Sequence, residues 1–242
     1  MRSALQAIVF DFDGVIADSE PLHLRAFQAT LLEEGLDLSA REYYARYLGF
    51  DDVELFRTLV GDRGLVRNET QIGALVARKG VKLQEMIRDG HVLFAGAADF
   101  IRAAAAQVPI AIASGALRHE IVEITEAAGV RELFAAIVAA GDTPRSKPSP
   151  APYVLAFERL VEAHPHLESR RCVAIEDSRW GLESAHGAGL RCVGVTTSYP
   201  AEELQGAELI VGGLKDLTLA ALDELCASQP HAERAQIGRA HV

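Results

Sequence analysis

Two carboxylates stand two residues apart near the N-terminus, directly after an apolar run. Asp11 and Asp13 lie in the segment DFDG, which follows the run at residues 5–10. Side chains two positions apart on a strand point to the same face, so one carboxylate can attack as a nucleophile while the other gives or takes a proton. The pair alone is weak evidence for catalysis, because acidic residues also form turns at strand ends.

Three further polar groups follow later apolar runs. They are Ser114-Gly115 after residues 109–113, Lys147-Pro148 in the loop after 135–140, and Glu176-Asp177-Ser178 after 172–175. Each has an ordinary structural alternative: a helix cap for the first and third groups, and a solvated surface lysine for the second. Because all four groups occur in order at the ends of successive apolar runs, we favour the catalytic interpretation.

The apolar runs indicate the fold that must position these side chains. They are continuous rather than alternating, which indicates strands covered on both faces, and segments with helical periodicity lie between them. Alternating strands and helices predict an α/β fold with a doubly wound, parallel, Rossmann-like sheet. The predicted strands are residues 5–10, 109–113, 135–140, 172–175, 192–195 and 208–211.

The stretch of residues 18–90 interrupts this alternation. It contains no convincing β run and has apolar residues at helical spacing, such as Leu24, Phe27 and Leu31 before Gly35. We therefore predict a core of residues 1–17 and 91–228, with a helical insertion at residues 18–90. Residues 229–242 are polar with little periodicity, and we expect this tail to be poorly ordered.

The polar groups are expected to face one crevice, because ligands in an open parallel sheet bind outside the carboxyl ends of the strands. Four carboxylates brought together repel one another, and this raises at least one pKa unless a cation lies among them. Oxygen ligands with room for waters and a phosphate favour Mg²⁺. The Ser114 hydroxyl and the Lys147 ammonium suit the oxygens of a phosphoryl group.

The composition limits the classes of partner. The chain has 242 residues, with 24 Lys and Arg against 34 Asp and Glu, and a formal net charge of −10. Nucleic acids and anionic lipids are bound by clustered Lys and Arg, so we expect neither as a partner. The three cysteines lack CxxC spacing and are expected to be buried free thiols. The N-terminal apolar run is too short for a signal peptide, so we expect a cytoplasmic protein. We also expect it to be a monomer or a weak dimer.

The ordered motifs resemble those of the haloacid dehalogenase superfamily. Within it, the sequence looks like the β-phosphoglucomutase and phosphoglycolate phosphatase-like enzymes. The resemblance covers the chain to about Ala227, including a helical cap inserted after the first motif. The residues that carry it are the segment DFDGVIADSEP from Asp11, Ser114-Gly115, Lys147-Pro148, and the segment EDSRWG from Glu176.

The resemblance implies a role for each motif. Asp11 would be the nucleophile that forms an aspartyl-phosphate, and Asp13 would be the general acid and then the general base. Asp11, the backbone carbonyl of Asp13, and Asp177 would hold Mg²⁺, with Glu176 bound directly or through water. An acid at position 13 favours phosphoryl chemistry over dehalogenation.

The remaining phosphoryl contacts also follow from the resemblance. Ser114, the backbone amide of Gly115, and Lys147 would hold the transferred group. His23 falls where mutase-like relatives carry a cap-hinge histidine that assists proton placement, and we count it among the expected substrate-binding residues. The alternative for His23 is a solvent-facing position on a helix. The mutases carry an arginine in a cap loop for the distal phosphate, but this sequence has Asp52 at the corresponding place. The nearby Arg57 is the alternative residue for that role.

These observations favour a Mg²⁺-dependent phosphatase that acts on a small phosphorylated metabolite, with sugar phosphates among the candidates. A β-phosphoglucomutase-like isomerase is the first alternative, and the missing cap arginine counts against it. A non-catalytic metabolite-binding protein is the second alternative, and the intact acidic and basic groups count against that one.

Overall fold

The structure is a computed structural model that describes residues 3–47, 50, 52–88 and 92–228. The chain divides into two compact units. We call Met1–Asp18 together with Leu93–Val242 the sheet unit, and Ser19–Val92 the helical unit. The sequence places the insertion at residues 18–90, and its role as a cap stays a prediction. The tail predicted at residues 229–242 lies outside the described residues.

The sheet unit is built on six parallel strands, numbered β1 to β6 along the chain with the ranges given at the end of this paragraph. Their order in the sheet is β3-β2-β1-β4-β5-β6. Every residue of β1, β2, β4 and β5 is buried, whereas the edge strands are partly accessible. Inner strands buried on both faces read as continuous apolar runs, which explains the sequence pattern. The strands are β1 Ala7–Phe10, β2 Ile110–Ala113, β3 Phe134–Val138, β4 Cys172–Glu176, β5 Arg191–Val195 and β6 Leu209–Val211.

Helices connect the strands of the sheet unit. Gly129, with a φ of 63°, lies just beyond the end of α6, in the left-handed conformation that suits glycine at this position. The α-helices are α5 Ala97–Ala105, α6 Arg118–Ala127, α7 Ala151–Ala163, α8 Arg179–Gly187 and α9 Leu219–Ala227. Short 3₁₀ turns occur at Arg131–Leu133, Ser169–Arg171, Ala201–Glu203 and Leu214–Asp216.

The helical unit has its own apolar core. Leu31, Leu55 and Phe56 are fully buried there and belong to one cluster of packed side chains. Its α-helices are α1 Glu20–Glu33, the single turn α2 Ala40–Glu42, α3 Asp52–Asp62 and α4 Glu69–Arg88, and a π-helical turn spans Tyr43–Tyr47.

The strand order confirms the predicted α/β class, with a parallel Rossmann-like sheet. It places β1 between β2 and β4, so the ends of these three strands are neighbours, and the chain changes direction across the sheet at this point. Such a switch point is where ligands bind in doubly wound sheets. All three cysteines are free and buried, as expected. Among the described residues, no helix has the length and apolar character needed to span a bilayer.

Candidate active site

The register of β1 against β4 brings the first and last motifs together. Phe10 pairs with Ile175, and the backbone N–H of Asp11 donates a hydrogen bond of 2.9 Å to the Ile175 carbonyl. Asp11 and Glu176 therefore leave the ends of adjacent strands side by side. The Asp11 carboxylate is oriented locally, because its Oδ1 accepts a hydrogen bond of 2.7 Å from the Phe12 N–H.

Lys147 joins these two carboxylates. Its Nζ lies 2.8 Å from Asp11 Oδ1 and 2.6 Å from Glu176 Oε1. Burial alone would lower the pKa of this ammonium, but the charges of Asp11 and Glu176 outweigh it and raise the pKa above its usual value. Lys147 is therefore a fixed positive charge within the site, and the solvated-lysine alternative is wrong.

The Glu176 carboxylate is fully buried and accepts hydrogen bonds at both oxygens. Oε1 accepts from Lys147 and from the Tyr153 hydroxyl at 2.7 Å. Oε2 accepts from the Asp177 N–H at 3.2 Å and from the Ser178 hydroxyl at 3.3 Å. Burial, followed by the charge of Asp11, raises the pKa of Glu176 to about 7. Ser178 also caps α8, since its Oγ accepts from the Gly181 N–H at 3.1 Å.

Asp177 lies beside the same group and is 7% exposed. Burial and the neighbouring Asp11 charge raise its pKa to about 6, while a hydrogen bond from Ser198 acts in the opposite direction. Gly14 makes room for this carboxylate: a Cβ at Gly14 would lie 1.9 Å from Asp177 Oδ2. Its φ of 77° also favours glycine.

Gly181 serves the same purpose for the other acid. A Cβ at Gly181 would lie 1.9–2.0 Å from the three carboxyl atoms of Glu176. The glycine in the motif EDSRWG is therefore required by the close approach of the helix backbone to the buried carboxylate.

Three of the predicted ligands can share a cation. One oxygen from each of Asp11, Glu176 and Asp177 lies within 4.8 Å of the others. These carboxylates carry more negative charge than the Lys147 ammonium offsets, and all-oxygen donors suit a hard divalent ion. The residues present therefore fit Mg²⁺. Asp13 follows two residues after Asp11 and pairs with Ala17 in an isolated β-bridge; the role of its carbonyl as a ligand stays a prediction.

The residues predicted to hold the phosphoryl group share a cavity. Ser114, Gly115 and Lys147 line a cavity of about 130 Å³. The buried Ser114 does not cap α6, because the N-cap position is Leu117; its Oγ instead accepts a hydrogen bond of 3.1 Å from the Ala116 N–H. The hydroxyl thus lies in the tight turn between β2 and α6.

His23 belongs to the helical unit, where it contacts a buried lysine. Its Nδ1 lies 3.0 Å from the Nζ of Lys79, which is 1% exposed and forms an ion pair of 2.8 Å with Asp52. Burial, followed by the Lys79 charge, lowers the pKa of His23 to about 4. Because an ammonium only donates, Nδ1 accepts and the ring proton lies on Nε2. The solvent-facing alternative for His23 is therefore wrong.

Sequence reasoning missed several of these partners. Tyr153 lies on the apolar face of α7, Ser198 lies in the loop after β5, and Lys79 lies in the middle of α4. Of these three, Tyr153 alone carried a local signal, as a hydroxyl on an otherwise apolar helix face.

Comparisons with known proteins show which sequences and which fold this chain resembles. The sequence model of the haloacid dehalogenase-like hydrolase family matches residues 5–189. The chain is 36% identical over 226 residues to the plasmid-encoded protein CbbY of Cupriavidus necator, covering 88% of this chain and 87% of that protein. It is 33% identical over 234 residues to CbbY of Cereibacter sphaeroides, covering 90% of this chain and 97% of that protein.

One solved structure is similar to this chain in both fold and sequence. It is a CbbY variant from Rhodobacter sphaeroides in complex with xylulose-(1,5)bisphosphate, with a TM-score of 0.74 and 30% identity. The alignment covers 90% of this chain and 99% of that one.

Proposed function

Because the chain belongs to the haloacid dehalogenase-like hydrolases, we propose that it is a Mg²⁺-dependent phosphatase of a small phosphorylated metabolite. The observation that carries the proposal is the Asp11 carboxylate at the end of β1, held by Lys147 and grouped with Glu176 and Asp177 within 4.8 Å. This group combines a nucleophile, a fixed cation and a set of hard oxygen ligands, which are the parts that phosphoryl transfer requires.

The proposed reaction has two steps. In the first, an oxygen of Asp11 attacks the phosphorus, the bond from phosphorus to the substrate oxygen breaks, and Asp13 gives its proton to the departing alcohol. In the second, Asp13 takes a proton from water, the water oxygen attacks the phosphorus, and Asp11 leaves as its carboxylate. The products are the alcohol and orthophosphate, and the acid and base roles of Asp13 alternate.

The other residues bind and orient the group in transfer. Lys147 sets its charge beside Asp11, and Ser114 with the Gly115 amide offers donors to the phosphoryl oxygens from the shared cavity. Asp11, Glu176 and Asp177, with the Asp13 carbonyl, would hold Mg²⁺. The ion would neutralise charge on the phosphoryl oxygens and on the buried carboxylates.

The relatives support a choice of substrate class. CbbY proteins are the similar proteins named above, and one of them binds a pentulose bisphosphate in its structure. We therefore propose a sugar phosphate as the substrate, with ketose 1-phosphates and pentulose bisphosphates as the first compounds to test.

Orthophosphate release from a panel of sugar phosphates, with Mg²⁺ and with EDTA, tests this function. We expect Mg²⁺-dependent release by the wild-type protein and loss of turnover by at least about 1,000-fold in Asp11→Asn, because the nucleophile is removed. Asp99→Asn is the matched control, since the same change falls on a side chain that is 94% exposed. Activity that survives Asp11→Asn, or a panel without any release, would contradict the proposal.

Two further experiments on the wild-type protein distinguish a phosphatase from the mutase and binding-protein alternatives. Conversion of β-glucose 1-phosphate to the 6-phosphate faster than phosphate release would establish a mutase. The resemblance puts Asp52 at the place of the mutase arginine, and this acid, which pairs with Lys79, counts against a mutase. Mg²⁺-dependent trapping of beryllofluoride at Asp11 would exclude a non-catalytic binding protein.

A further inference from the structure

One carboxylate outside the reacting group connects the two loops that carry Ser114 and Lys147. Asp142 Oδ2 accepts a hydrogen bond of 3.1 Å from the Ala139 N–H. It also pairs with the Arg118 guanidinium and lies 3.4 Å from Arg159 Nη1. Although burial alone would raise the pKa of Asp142, the Ala139 N–H and the two guanidinium groups hold that pKa below its usual range.

The two arginines share a second acceptor at the end of β3. Arg118 Nη2 donates to the Ile137 carbonyl at 3.1 Å, and Arg159 Nη1 donates to the same carbonyl at 2.6 Å. Two guanidinium groups thus meet at one backbone oxygen, where the negative charge of Asp142 offsets their repulsion. We call Asp142, Arg118 and Arg159 the loop clamp.

The loop clamp connects the elements that follow each phosphate-binding group. Arg118 is the first residue of α6, three residues after Gly115, and Arg159 lies on α7, which follows Lys147. Asp142 lies in the loop from β3 to Lys147. The two loops also bond directly, because the Ala140 N–H donates to the Ala116 carbonyl at 2.9 Å.

We propose that Asp142 is a positioning residue that sets the spacing of Ser114, Gly115 and Lys147 around the transferred phosphoryl group. The inference rests on the proposed function, which assigns those three residues to the phosphoryl oxygens. Without the carboxylate, the two guanidinium groups repel one another and the β3 loop loses its ion pairs with Arg118 on α6 and Arg159 on α7. Displacement by about 1 Å in such a site costs up to about 100-fold in rate.

Asp223 provides a matched control in the same unit. Its Oδ1 accepts hydrogen bonds from the N–H groups of Ala4 at 2.6 Å and Leu5 at 2.9 Å, and from the Ser3 hydroxyl at 2.6 Å. Like Asp142, it is a partly exposed carboxylate that binds backbone N–H groups and has a lowered pKa. Asp223 lies in α9, and the residues that it binds precede β1, at the opposite end of that strand from Asp11.

The test compares Asp142→Asn with Asp223→Asn in the Mg²⁺-loaded full chain. We expect Asp142→Asn to raise the Kd for orthophosphate, measured by calorimetry, and the KM for the substrate by roughly 10- to 100-fold. We expect Asp223→Asn to change the Kd and the KM by no more than about twofold, since its contacts are remote from the site. We expect it to lower Tm by about as much as Asp142→Asn does. A purely structural role of Asp142 would instead make the two variants behave alike.

A double-mutant cycle with Ser114→Ala gives a second readout. If Asp142 acts through the phosphate-binding loops, its effect on orthophosphate affinity shrinks in the Ser114→Ala background. Wild-type affinity in Asp142→Asn, or full additivity in the cycle, would overturn this inference while leaving the phosphatase proposal in place. A wild-type protein that neither binds orthophosphate nor releases it from any sugar phosphate would overturn both.

Discussion

The buried Glu176 carboxylate shows how single residues determine the properties of this site. Its four donors come from Lys147, Tyr153, Ser178 and the Asp177 N–H, and each one offsets part of the cost of burying a charge. Burial still raises its pKa to about 7, so the donors do not fully compensate. A bound cation would supply the remaining stabilisation.

The Tyr153 hydroxyl provides a test of this balance. We expect Tyr153→Phe to lower the free energy of unfolding by about 1–3 kcal/mol, because a buried carboxylate loses a donor. The lost hydrogen bond also raises the proton affinity of Glu176, so Mg²⁺ binding weakens at pH 7 and recovers towards pH 9. Chemical denaturation and Mg²⁺ titrations at both pH values measure these effects.

Tyr199→Phe is the control for this change, since it removes a tyrosine hydroxyl from the loop after β5 in the same unit. The ring of Tyr153 lies over the Lys147 ammonium, with 5.1 Å between its centroid and Nζ, and the phenylalanine variant keeps this ring. An effect therefore reports the hydroxyl rather than the ring. Equal stability and equal Mg²⁺ affinity in both variants would show that Glu176 does not depend on Tyr153.

At the scale of elements, glycine lowers stability within one helix and is required by the backbone at the end of another. Gly73 is exposed in α4, with nothing within 4 Å of an added Cβ, whereas Gly129 has a φ of 63° just beyond α6. We expect Gly73→Ala to raise the free energy of unfolding by about 0.5–1 kcal/mol. Gly129→Ala should lower it by about 1 kcal/mol or more, because alanine is strained in the left-handed region.

Chemical denaturation of each variant and of the wild type tests whether the free energy of unfolding rises in Gly73→Ala and falls in Gly129→Ala. The two changes add the same methyl group, so a difference reports backbone conformation rather than the added carbon. Destabilisation by both variants would mean that the α4 position is less open than its geometry indicates.

The sheet was predictable because burial on both faces leaves a continuous signal within each strand. The predicted runs agree with β1 to β6 to within two residues at each end. The parallel direction of the strands follows from their alternation with helices. The strand order, which sets β1 beside β4 and Asp11 beside Glu176, came from the structure and was not predicted. Asp11, Glu176 and Asp177 could be named in advance because each stands at or just beyond a strand end. Lys147 lies nine residues after the end of β3 and could be named because the Lys-Pro pair follows the third apolar run in the order of the motifs.

The supporting contacts were not predictable, because they join residues that are distant in sequence and carry no local pattern. Lys79 lies 56 residues from His23, and Asp142 lies 24 residues from Arg118. A lysine within a helix reads as solvated, and an aspartate in a polar loop reads as a turn residue. In each case packing, rather than periodicity, determines which partner the side chain meets.

At the scale of the whole molecule, the chain carries a net negative charge, and one buried group of carboxylates within it links folding to pH. The pKa of Glu176 is raised to about 7 and that of Asp177 to about 6, each above the value of an exposed side chain. Between about pH 4 and pH 7 the folded protein therefore binds more protons here than the unfolded chain. The contribution of this pair to stability falls as pH rises through that window.

Added Mg²⁺ should reverse this loss, because ionised carboxylates bind the cation and protonated ones do not. With Mg²⁺ at about 100 times its Kd, we expect Tm to rise by roughly 5–10 °C at pH 7.5. The rise should be much smaller at pH 5, where both acids hold their protons. Calorimetric scans of EDTA-treated protein, with and without Mg²⁺ at the two pH values, measure the difference.

Two variants separate this linkage from general salt effects. Asp177→Asn removes a carboxylate whose pKa is raised and which is also a proposed ligand. The Mg²⁺-dependent rise in Tm at pH 7.5 should therefore largely disappear. Asp223→Asn keeps the rise, because Asp223 contacts Ser3, Ala4 and Leu5 rather than the acidic group. A Mg²⁺ effect of equal size at pH 5 and pH 7.5 would show that the ion binds elsewhere on the acidic surface, and the metal site at the end of β1 and β4 would then have to be abandoned.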